Sequence, residues 1–240
     1  MIIVMRGGFS MRILFAGMTA VRRLHFSACG WMMTQPVANT AGERKDDGMR
    51  KLICKRFDEA IAVLGQGRDR LAGRIAQAAE IIATSYRAGG GVLLFGNGGS
   101  AADAQHIAGE LVGRFLFDRA PLRAQALNTD TSILTCVGND YSFEQVFSRQ
   151  VEANGRKGDV AIGLSTSGNS PNVVAALAAA RKIGMKTIAF TGAGGGRCAE
   201  LADVLLDAPV ATPTARVQEC HVVTYHVLCE LVEAAVCAHE

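Results

Sequence analysis

Val92-Leu93-Leu94-Phe95-Gly96-Asn97-Gly98-Gly99-Ser100 decides the fold. The four apolar residues are too few for a buried helix and read as a short strand buried on both faces. Gly96–Ser100 is a turn, and residues 101–114 return to helical spacing. Before the strand, Ala88-Gly89-Gly90-Gly91 stops a helical region over residues 55–88. Its apolar positions are Phe57, Ile61, Leu64, Leu71, Ile75, Ala78, Ile81, Ile82 and Tyr86, with Gly65 and Gly67 as candidate breaks into two helices.

The same alternation continues downstream. Residues 123–127 read as a second strand, followed by a helical segment at 131–137 and a longer helix at 143–153. A third strand at 159–164 is apolar after its first residue. A helix at 170–183, strands at 186–190 and 204–206, and a last helix at 215–238 complete the pattern. Short apolar strands alternating with helices predict an α/β fold: a five-stranded parallel sheet flanked by helices, a three-layer α/β/α sandwich.

Composition agrees. The chain has 240 residues, 49% hydrophobic, 20% charged and 6% aromatic, with 5 prolines. That supports a full core and excludes disordered and collagen-like classes. No apolar run approaches the ~18 residues of a membrane span. The net charge is +3, and residues 49–240 carry equal numbers of acidic and basic residues. Charge therefore implies no nucleic-acid surface. Seven cysteines without a CxxC pair suggest neither a disulfide framework nor a zinc ribbon. Cys220, Cys229 and Cys237 read as small core hydrophobes in a reducing compartment.

Residues 1–48 are foreign to the rest. Residues 1–40 contain four arginines and no acid. A targeting peptide is one reading. The apolar stretch is short and no small-residue cleavage site follows, so an upstream start codon or disordered tail is preferred. The domain then occupies 49–240.

Two loops carry the ligand signal. Gly96-Asn97-Gly98-Gly99-Ser100 and Ser165-Thr166-Ser167-Gly168-Asn169-Ser170 each follow a buried strand and open a helix. Glycines admit a ligand close to the backbone, and free N–H groups at a helix start favour an anion. Either loop alone would be an ordinary glycine turn or Ser/Thr cap. Two at the carboxyl ends of strands in one open sheet predict a shared crevice for a phosphorylated small molecule. Gly138-Asn139-Asp140-Tyr141 could offer Asn139 and Asp140 to sugar hydroxyls; alone it is a turn before a helix.

His106 and Glu110 are four apart on the helix after the first loop and share a face. Gln218 and His226 are separated by eight residues on the last helix, about 80° apart around its axis. If the two helices pack together, two imidazoles, a carboxylate and an amide oxygen form a mixed N/O site for zinc or a similar ion. The same groups could move protons. The plain reading of His106 and Glu110 is a helix-face hydrogen bond, and His221 reads as a surface or core hydrogen bond.

In this order and spacing these motifs resemble the sugar isomerase (SIS) domain and, more narrowly, the phosphoheptose isomerases, over roughly residues 49–238. The hydroxyl-rich loop marks only the superfamily; its combination with His106, Glu110, Gln218 and His226 is more specific. The resemblance implies aldose–ketose isomerisation of D-sedoheptulose 7-phosphate to D-glycero-D-manno-heptose 7-phosphate through an enediol, in lipopolysaccharide precursor synthesis. It assigns Glu110 as base and His226 as acid/base partner. His106, Glu110, Gln218 and His226 match the family's zinc ligands; the metal could polarise the substrate oxygens or fix geometry. The substrate would lie against Asn97, Gly98, Gly99, Ser100, Glu110, Asn139, Asp140, Ser165, Thr166, Ser167, Ser170 and Gln218. A cytoplasmic homotetramer with sites near subunit interfaces is implied, with neither nucleic-acid nor membrane partners.

One departure concerns Ala215, where some members of the family carry an acidic residue. The rival reading is a non-enzymatic SIS-domain regulator of replication initiation of the DnaA-associating type, suggested by Ala126-Leu127-Asn128-Thr129-Asp130. The retention of Glu110 and His226 favours the enzyme.

Overall fold

The computed structural model describes residues 40–237, preceded by the short segments 2–5, 11–14, 25–27 and 30–32. Most of the expected extension over residues 1–48 lies outside the described residues, as does Cys29. The chain divides into two units, Met1–Arg56 and Phe57–Glu240. In the first, β1 (Ile2–Met5) pairs antiparallel with β2 (Met11–Leu14), and β3 (His25–Ser27) with β4 (Gly30–Met32).

Helix α1 runs unbroken over Thr40–Arg87. Two expectations change here. The helix starts ahead of Met49, in a stretch where Lys51 pairs with Asp47 one turn away at 2.7 Å. It also passes through Gly65 and Gly67 without a break. Neither glycine adopts a positive φ, and each costs only about 1 kcal/mol against alanine. Burial of Val63, Leu71, Ile75, Ala78 and Ile82 outweighs that cost.

The second unit carries the sheet: β5 (Val92–Gly96), β6 (Ala124–Ala126), β7 (Val160–Ser165), β8 (Lys186–Thr191) and β9 (Val204–Asp207). Its order is β6-β5-β7-β8-β9, all pairs parallel. The helices are α2 (Gly99–Val112), α3 (Thr131–Asp140), α4 (Ser148–Asn154), α5 (Pro171–Ile183) and α6 (Thr214–Cys237). The expected five-stranded parallel α/β sandwich is what forms.

Alternate strand residues feed two cores. Leu94, Ile162, Leu164 and Phe190 meet α1, α2 and α6 through Ile82, Ile107, Tyr225 and Leu228. Leu93, Phe95, Ala161 and Ala189 meet α4 and α5 through Val151, Val173 and Leu177. Two local readings are corrected. Gly138, Asn139 and Asp140 end α3 rather than forming a turn, with Asp130 capping its start by accepting from the Ile133 amide at 2.9 Å. Residues 143–153 are a 3-10 turn, Phe143–Gln145, followed by α4. The change of direction buries both Val146 and Phe147.

Among the described residues α6 is the one helix long and apolar enough, by length and composition, to cross a membrane. Here Val217, Cys220, Tyr225, Leu228, Cys229 and Val232 pack it into the core. Cys198, Cys220 and Cys229 are free and buried.

Candidate active site

From β5 the chain leaves through α2 to β6 on one side. From β7 it leaves through α5 to β8 on the other, so the crevice opens between adjacent strands whose crossovers diverge. Gly96 is in register with Leu164, which places the two loops side by side at the carboxyl ends.

The second loop is a cradle of hydroxyls. Ser165 Oγ lies 2.9 Å from Ser170 Oγ and 3.4 Å from Ser167 Oγ. The Asn169 amide donates to Ser167 Oγ at 3.2 Å. Ser170 precedes α5 without capping it, so its hydroxyl stays with the cradle. Gly168 has φ 67°, and a Cβ there would collide with the Gly195 carbonyl. The tight approach holds the loop against the segment after β8, where the Gly192 amide donates to the Thr166 carbonyl at 3.0 Å. The cradle is neutral and suits an oxyanion at a helix start.

The first loop is tied to the second. Asn97 and Asn172 exchange two side-chain hydrogen bonds, each 2.9 Å. Gln218 reaches over from α6, its amide so close to Gly99 that no Cβ would fit there.

Helices α2 and α6 pack together and bring three of the four expected ligands, His106, Glu110 and His226, into one place, while Gln218 lies against Gly99. His106 Nε2 lies 3.0 Å from Glu110 Oε1 and 3.5 Å from His226 Nε2. Ligand atoms of His106, Glu110 and His226 all fall within 4.8 Å of one another. Two imidazole nitrogens and a carboxylate oxygen at that separation fit a zinc-type ion. Phe115 closes one side, its ring 5.9 Å from that of His226.

Other expected residues fall elsewhere. Asn139 donates to Asp140 at 2.8 Å, both exposed at the end of α3. Among the described residues no hydrogen bond joins them to the crevice. His221 is buried, its Nε2 3.0 Å from the Thr191 carbonyl. Burial pushes its pKa down, so it is a neutral core histidine. The core hydrogen bond expected of it is present.

Several residues escaped the sequence reading. Asn172 follows Pro171 at the start of α5, where an asparagine reads as local capping. Tyr225 and Asp103 stand behind His106, the Tyr225 hydroxyl 2.9 Å from Nδ1. Glu233, 1% exposed, pairs with Arg119 at 2.9 Å and accepts from the Phe115, Leu116 and Phe117 amides. Arg119 also donates to the Glu110 carbonyl at 2.8 Å. This latch fixes the end of α2 beside Glu110. The one signal for it in the sequence is a glutamate on an otherwise apolar helix face.

Comparison with known proteins places these features in a family. The SIS domain profile matches residues 56–192. The phosphoheptose isomerase of Aquifex aeolicus is 55% identical over 189 residues, covering 79% of this chain and 98% of that protein. That of Rhodospirillum rubrum is 56% identical over 164 residues, covering 68% and 87%. Among solved structures, phosphoheptose isomerase GmhA from Neisseria gonorrhoeae superposes with a TM-score of 0.73 at 44% identity, covering 78% of this chain and 99% of that one. A phosphoheptose isomerase from Francisella tularensis gives 0.74 at 36% identity, covering 77% and 97%.

Proposed function

Because the chain belongs to the SIS domain family, and within it to the phosphoheptose isomerases, we infer that it interconverts the ketose and aldose forms of a seven-carbon sugar phosphate. The observation that carries this reading is the convergence of His106, Glu110 and His226 between α2 and α6, in a fold that also builds the hydroxyl cradle after β7. The cradle suits an anion, and the cluster can move protons.

The substrate is D-sedoheptulose 7-phosphate and the product D-glycero-D-manno-heptose 7-phosphate, a precursor for lipopolysaccharide. Ser165, Thr166, Ser167 and Ser170 receive the phosphate, with the amides at the start of α5. Asn97, Gly98, Gly99, Ser100 and Gln218 line the sugar, with Asn139 and Asp140 as further hydroxyl partners. Glu110 takes the proton from C1 and returns one to C2, passing through an enediol. His226 exchanges protons with the O1 and O2 oxygens, so charge does not accumulate on either. Zinc held by His106, Glu110, Gln218 and His226 would supply Lewis-acid polarisation of those oxygens. Ala215 leaves one hydroxyl contact of some relatives unmade.

The enzyme is a cytoplasmic homotetramer in this reading, without nucleic-acid or membrane partners. Support for self-association comes from exposed Phe57 and Ile61 on α1 and Val223, Val227 and Leu231 on α6. The alternative of a DnaA-associating regulator is not favoured, because the relatives at 55–56% identity carry the enzyme's name.

The test is incubation with sedoheptulose 7-phosphate beside fructose 6-phosphate, following aldose formation with and without chelator. Turnover of the seven-carbon substrate is expected, with Glu110→Gln slowing it about 10²–10⁴-fold. Unchanged turnover in that variant would remove Glu110 from the reaction.

A further inference from the structure

Behind His106 lies a polar chain that the reaction above does not use. Tyr225 is 1% exposed, and its hydroxyl sits 2.9 Å from His106 Nδ1. Its ring meets both imidazoles edge-on, with centroids 5.3 Å from His106 and 4.9 Å from His226. Asp103, on α2 one turn before His106, is buried and engages the Tyr225 hydroxyl. Its buried Oδ2 has no hydrogen-bond partner.

We propose that Asp103 and Tyr225 are positioning residues that hold His106 with its proton on Nδ1, leaving the Nε2 lone pair to a divalent cation shared with Glu110 and His226. The proposal rests on the metal reading given above and adds the device that sets its ligand.

Proton counting gives the direction. A phenol has one proton to donate. If Tyr225 gave it to His106 Nδ1, the Asp103 carboxylate would be buried with nothing to accept, which is costly. If Tyr225 gives it to Asp103, the phenolic oxygen is free to accept from Nδ1–H. That arrangement gives each of the three groups a partner. It also fixes Nε2 as an acceptor pointing at Glu110 Oε1, 3.0 Å away. Two acceptors facing each other repel until a cation stands between them. Imidazole ligands of metals commonly donate their second N–H to an outer partner, and losing that partner weakens metal binding about 10–100-fold.

The experiment measures zinc affinity of the full chain by competition with a chromophoric chelator, in wild type, Tyr225→Phe, Asp103→Asn and the double variant. Tyr225→Phe keeps the ring contacts and removes the hydroxyl; zinc binding is expected to weaken about 10–100-fold. Asp103→Asn keeps an acceptor oxygen and should weaken binding less. The double variant should match Tyr225→Phe alone, because one break already interrupts the chain. Wild-type affinity in Tyr225→Phe, or losses that add in the double variant, would overturn the proposal. So would a wild-type protein that binds no zinc, an outcome that leaves isomerase activity to be judged separately. Melting of the chelator-treated proteins monitors folding; if Tyr225→Phe is destabilised, Asp103→Asn at wild-type affinity is the result that overturns it.

Discussion

Glu233 shows how much one buried charge can organise. Its carboxylate accepts from three consecutive amides, at 2.9, 2.6 and 3.1 Å, and pairs with Arg119. Burial alone would raise its pKa, but these amides and the guanidinium together hold it below the ordinary carboxylate value. Below an ordinary carboxylate pKa of about 4.3, the unfolded chain takes up a proton before the folded one does. The stabilisation is therefore complete above that value and fades as pH falls through the lower folded one. Removing one partner of a buried pair typically costs about 3–5 kcal/mol. Glu233→Gln should lower the unfolding free energy by that order and flatten the acid limb of a stability–pH curve. A variant with an unaltered acid limb would show that the amides, not the charge, do the holding. His106, Glu110 and His226 were legible because spacing by four on a helix is visible in the sequence. Tyr225, Asp103 and Glu233 were not. Each sits in an apolar pattern where a single polar residue has many ordinary explanations, and its role depends on a partner over 100 positions away or on another helix.

At the scale of elements, strand-to-helix loops were readable where they were short and glycine-marked. The loops after β5 and β7 occupy their expected places because only a tight turn connects a buried parallel strand to a covering helix. The region after β6 was harder. Its 3-10 turn and α4 owe their division to burial of Val146 and Phe147, which local pattern does not encode. Gly65 and Gly67 misled in the other direction: tertiary burial carried α1 through them. The hydroxyl loop invites a direct perturbation. Gly168→Ala forces a side chain into a positive-φ position facing the Gly195 carbonyl, at a cost of about 1–3 kcal/mol. The expected outcome is a rise in KM of about ten-fold or more, each 1.4 kcal/mol being a factor of ten, with kcat less affected. Equal KM values would mean that this loop does not hold the phosphate.

For the whole molecule, fold class followed from alternation, while strand order did not. A sequence of five strands and intervening helices permits several sheet orders; that of β6-β5-β7-β8-β9 emerges from how the helices distribute over two faces. The family match begins at residue 56, and an alignment of 189 residues covers 98% of the Aquifex aeolicus relative. We therefore propose that residues 1–48 are dispensable. A chain starting at Met49 should retain the melting temperature and turnover within about two-fold, surface changes away from packed features being worth about 0.5 kcal/mol or less. Loss of soluble protein would contradict this.

The paired amides of Asn97 and Asn172 have a consequence for how such a crevice can diversify. They tie the loop after β5 to the start of α5, so on the function proposed above docking a phosphate on the hydroxyl cradle orders little of the protein and distinguishes little between sugars. On that reading discrimination falls to the residues between α2 and α6. New sugar preferences can then be installed there by exchanging a few side chains, while the docking floor is inherited unchanged.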